Sequence, residues 1–147
     1  MLYPSIKNRF IKTQLYDILF IDNFVYIEID EIWGANMKLK IDWGEPIIKE
    51  DDIMQIQPSD LDDFYVAQND LDKTNLFFIL LTSIHHYLDK EEQEKSAHLC
   101  FLTAYYLFVT LTPPGSCKLA MHYIKQAVDL NPLEEYKEWV PLIEKGN

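Results

Sequence analysis

The residues of this chain best suited to hold a metal or attack an electrophile are four histidines and two cysteines. His85 and His86 are adjacent, so on a helix they point about 100° apart and do not readily share one ion. His98 and Cys100 flank Leu99 and again diverge, and His122 lies beside a packing face. None has the i, i+4 spacing of a zinc-binding helix. Cys100 and Cys117 fall in different helices with no CxxC between them, which suits buried free thiols. Asp70, Asp72 and Thr74 open like a calcium loop. Its sixth position is then Asn75 instead of glycine, and its twelfth is Leu81 instead of glutamate. With only four glycines there is no phosphate-cradling loop, no dinucleotide fingerprint and no nucleophile elbow. The many carboxylates offer pairs for acid–base work, but no pattern sets two of them across a cleft. The expectation is a protein that is no enzyme, with no catalytic residue, no cofactor and no metal.

Charge is the more informative signal. The 147 residues carry 13 basic and 24 acidic side chains, a net of −11. Residues 1–20 sum to +2, residues 21–70 to −10, residues 71–100 to −2 and residues 101–147 to −1. Nearly all the excess sits in the middle third. Such a field argues against nucleic acid or an anionic membrane as partner and favours a basic protein. The bland alternative is a solvated face with helix-start carboxylates. The carboxylates singled out for partner binding are Glu50, Asp51, Asp52, Asp60, Asp62, Asp63 and Asp70.

Those residues must be positioned by local structure, and the chain is long enough for one core that buries roughly two-thirds of its unfolded surface. Ser5 caps a helical stripe through Ile11, Leu15, Ile18 and Leu19. The period then becomes two. Val25, Ile27 and Ile29 alternate with polar residues, as do Met37, Leu39, Ile41 and Trp43, around a turn at Gly34-Ala35-Asn36. This predicts a β-hairpin over 24–43; a helical stripe through Ile29, Ile32 and Trp33 is the alternative. Pro58-Ser59 opens a helix with Asp60, Asp62 and Asp63 in its first turn and Leu61, Phe64 and Tyr65 inward. A second begins near Asp72, with Phe77, Leu80, Leu81, Ile84 and Leu88 along one side. A long helix from Glu91 carries apolar residues on both sides and should be central. Pro113-Pro114-Gly115-Ser116 ends it, and two more helices follow, broken at Asn131-Pro132. The predicted class is α+β and mostly helical. It reads as one domain over 1–147, with 1–58 holding the N-terminal helix, hairpin and acidic connection and 59–147 the helical part. Apolar runs reach only 76–81 and a broken 101–111, short of the ~18 residues of a membrane helix. Residues 1–10 lack a signal-peptide pattern, and two cysteines suit a reducing setting, so the expected location is cytoplasmic.

Residues 119–132 resemble the second helix of a tetratricopeptide repeat: Ala120, Ile124, Ala127 and Pro132 fall at that family's offsets. In the preceding helix only Leu107 agrees, where Ala104, Phe108 and Leu111 replace the preferred tryptophan, glycine and tyrosine. The resemblance covers 101–145 and implies one repeat-like hairpin with a capping helix, short of the three or so repeats of a solenoid.

By type, a small acidic chain without catalytic motifs resembles bacterial immunity proteins, the antitoxins of cationic nuclease toxins. The resemblance implies a basic toxin domain as partner, with carboxylates standing in for phosphates and aromatics such as Tyr26, Trp33, Trp43 and Tyr65 as anchors. A repeat-like scaffold or peptide-binding adaptor is the alternative.

Overall fold

The computed structural model describes Leu39 and residues 41–146. In it an irregular lead-in is followed by α1 (Glu50–Ile53), α2 (Pro58–Ala67), α3 (Asp70–Asp89), α4 (Gln93–Tyr105), a π-helical turn (Tyr106–Leu111), α5 (Ser116–Leu130) and α6 (Glu134–Lys145). The breaks have local causes. Pro58 sits in the first turn of α2, where its missing N–H is no loss, and Asp60 accepts the Gln57 N–H at 2.8 Å. The Asn69 side chain accepts the Asp72 N–H at 3.0 Å and starts α3 two residues earlier than the apolar stripe indicates. Glu91, with φ +61°, turns the chain out of α3 as Glu92 N–H reaches back to the Tyr87 carbonyl at 2.9 Å. Gly115, at φ +81°, supplies the left-handed residue before α5.

The central helix is α4, as its two-sided apolar pattern predicts. Every residue from Ser96 to Thr110 is buried. Helix α3 packs on one side of it and α5 on another. Ala120, Ile124 and Ala127 of α5 are fully buried; the two alanines allow close approach, and the isoleucine fills the space between them. Helix α6 closes the far end with aromatic contacts. Tyr136 stacks on Phe101 at 4.9 Å, and Trp139 meets Tyr105 edge-on at 5.3 Å. A single apolar cluster runs from Leu39 to Ile143.

The predicted α+β class is corrected: the described residues hold helices and no strand. Most of the predicted 24–43 hairpin and the whole predicted N-terminal helix lie outside the described residues. The part of the hairpin that is described, Leu39 and residues 41–43, is not extended ladder. Asp42 accepts the Gly44 N–H on its side chain at 3.0 Å and the Glu45 N–H on its carbonyl at 3.0 Å. That Asx-type turn ends the alternation in a loop. Period two at Leu39, Ile41 and Trp43 therefore marks two residues that face the core and one that leaves it. Leu39 is buried, Ile41 is half-buried and Trp43 is half exposed.

Candidate partner-docking surface

Helix α1 has only four residues and cannot hold itself together, so its fastening comes from neighbours. Before it, both backbone groups of Ile48 are met by side chains of α3. The Ser83 hydroxyl accepts the Ile48 N–H at 2.8 Å, and the Tyr87 hydroxyl donates to the Ile48 carbonyl at 2.8 Å. Within it, Ile53 is fully buried. After it, His98 Nε2–H donates to the Ile56 carbonyl at 2.9 Å. A carbonyl only accepts, so Nε2 carries the proton, and Nδ1 is left to accept from the Tyr136 hydroxyl at 3.3 Å. Burial holds the pKa of His98 below its ordinary value.

Pinned at these points, α1 presents Glu50, Asp51 and Asp52 to solvent. Lys95 of α4 bridges Glu50, at 2.5 Å, and Glu92. Its hydrogen bond and charge pull the Glu50 carboxyl below the usual range, and the two carboxylates raise the lysine. Glu50 is thus a paired charge, whereas Asp51 and Asp52 extend beyond the bridge. Beside them opens a hollow of about 570 Å³ lined by Ile41, Asp42, Trp43, Gly44, Lys49 and Asp52. Trp43 is 49% exposed, with its ring tilted against Phe64 at 6.4 Å.

The other singled-out carboxylates have different settings. Asp60 is only 6% exposed and belongs to the start of α2. Asp62 is half-buried and accepts two hydroxyls, Tyr105 and Thr110, each at 2.7 Å. Asp63 is half-buried on the same helix. Asp70 is fully open at the start of α3, 3.1 Å from Lys73, whose ammonium also lies 4.5 Å over the Tyr65 ring. The structure therefore leaves Glu50, Asp51 and Asp52 exposed at successive positions of α1, where their side chains fan out about 100° apart, and turns Asp60 and Asp62 toward helix start and packing. It adds Asp42, which the sequence pattern hid inside an apparent strand.

No protein-family model matches this chain, and comparison with curated proteins and with solved structures finds no match either. Its reading rests on its own residues.

Among the described residues no group of three or more His, Cys, Asp or Glu side chains is arranged to hold a metal ion. Cys100 is fully buried, with its thiol pushed up to about 12, and Cys117 is half-buried. No helix among the described residues is long and apolar enough to cross a membrane.

Proposed function

We propose that this chain is a non-enzymatic inhibitor, an immunity protein that neutralises a basic, nuclease-type bacterial toxin by covering its active site with an acidic surface. The observation that carries the reading is the acidic α1: Asp51 and Asp52 stand exposed on a helix fixed by Ile48, Ile53 and Ile56, within the segment that holds −10 of the net charge. Carboxylates on a pinned backbone suit a cationic groove because the chain that carries them is ordered before docking, so less entropy is lost on binding. Opposite fields also speed encounter. The adaptor alternative would use the outward side of α5, where Leu119 is exposed, since Ala120, Ile124 and Ala127 pack against the core.

The test begins with co-purification from the native host and identification of what is retained. The retained protein's toxic domain is then expressed with and without this chain. The reading predicts a basic domain that kills alone and is tolerated when this chain is present. A retained partner that is acidic, or whose toxicity is unchanged by co-expression, overturns it.

A further inference from the structure

The hollow beside α1 has a composition that selects among ligands. Among the described residues its charged lining is Asp42 and Asp52 against Lys49, a balance that favours a cation over an anion. Its described apolar lining is Ile41 and the tryptophan, too little to hold a wholly apolar group in an open site. The Asp42 carboxylate is fixed by the Gly44 N–H at 3.0 Å. A side chain at residue 44 would crowd that carboxylate, since a Cβ there lies 3.2 Å from Asp42 Oδ1. Trp43 is braced by Phe64 yet half open. An aromatic surface beside two carboxylates matches a flat cation with an apolar face. Guanidinium meets that description. It stacks on indole, pairs with carboxylates through a planar fork and gives up hydration more readily than an ammonium.

We infer that this hollow is a socket for an arginine side chain of the protein partner, with Trp43 as the stacking surface and Asp52 and Asp42 as the paired acceptors. This rests on the proposed inhibitor reading and specifies where the partner's anchor residue enters. A neighbouring cation on the partner would then face Asp51 on α1.

The test uses the full chain, isotope-labelled, titrated with N-acetyl-arginine amide and separately with its lysine and citrulline counterparts, while NMR signals of the Trp43 indole and the Gly44 amide are followed. The arginine compound is expected to shift both signals along one saturating curve. Lysine should bind roughly fivefold more weakly, as loss of the stacking fork implies, and neutral citrulline should leave the signals in place. Asp52→Asn, at an exposed position of α1, should keep the fold while weakening the arginine curve; Asp129→Asn, exposed on α5, should not change it. Citrulline shifts equal to those of arginine, an unmoved Trp43 indole, or an Asp52→Asn curve identical to the unsubstituted chain each overturn the inference. The probe requires no toxin. Silence of the socket therefore refutes the arginine site alone, and the inhibitor reading stands or falls on its own co-expression result.

Discussion

At the scale of single residues, two polar side chains join elements far apart in sequence. Asp62 of α2 collects the hydroxyls of Tyr105 and Thr110. Residues five apart on an α-helix point about 140° apart, so one carboxylate reaches both poorly. The π-helical turn begins at Tyr106, and its wider i to i+5 spacing brings the two onto one side. Asp62→Ala should cost roughly 2–4 kcal/mol, the loss of two charge-assisted bonds at a partly buried site, with Asp62→Asn losing less because it keeps an acceptor. Chemical denaturation of the two variants measures this, and an alanine variant as stable as the parent would refute the linkage. His98 is the second joint. The fold favours its neutral form, so its folded pKa lies below the unfolded value of about 6.5. Its contribution is fully present above pH 6.5 and is lost as the pH falls from there through the folded pKa, at no more than about 1.4 kcal/mol per pH unit. Glu135 is the acidic group whose charge opposes this shift. Melting curves of the parent and His98→Gln between pH 7.5 and 5 should therefore converge on acidification. Parallel curves would show that His98 does not titrate against the fold.

At the scale of elements, α3 ends on a non-glycine residue in the left-handed region, Glu91 at φ +61°. Such a backbone costs an ordinary residue about 1–2 kcal/mol, and glycine relieves it at some expense in unfolded-state entropy. Glu91→Gly should raise stability by about 0.5–1 kcal/mol, read as a higher melting temperature; a lower one would mean that the side chain supports the turn. Helix order was legible in the sequence because the breakers are chemically explicit: Pro58, Asn69, Pro113 with Gly115, and Asn131 with Pro132 each fall at an element boundary. The central position of α4 was legible from apolar residues on both of its sides. The π-helical turn was not, because an inserted residue leaves no mark in a 3.6-residue apolar pattern when every side chain from 106 to 110 is buried. The strand expectation failed at its described end, 41–43, because alternation through Met37, Leu39, Ile41 and Trp43 does not distinguish a ladder from a loop that dips into the core, and the Asp42 turn decides for the loop there. At the candidate surface, residue type alone could not separate Asp60 and Asp62, which serve helix start and packing, from Asp51 and Asp52, which face solvent. For Asp62 that separation depends on Tyr105 and Thr110, more than 40 positions away.

At the scale of the whole molecule, the charge asymmetry has a structural counterpart. The C-terminal helices, nearly neutral, build the core around α4, while residues 48–56, the described stretch around α1, lie over α3 and α4 and are pinned to them through Ser83, Tyr87, Lys95 and His98. Asp51 and Asp52, exposed and outside the core cluster, can therefore be changed without touching the core. The most direct measurement of the central claim is the affinity of the co-purified basic partner for the parent and for Asp51→Asn/Asp52→Asn, each at low and high salt, beside thermal melting of the same proteins. A desolvated carboxylate facing a partner cation is worth about 2–5 kcal/mol when removed, against about 0.3–1 kcal/mol for an exposed helix-start charge. The account predicts unchanged melting, weaker binding by the variant at low salt, and association that slows for the parent as salt screens the two fields. A variant that melts normally and binds as tightly as the parent at low salt would contradict it and leave the acidic stretch a solvated surface.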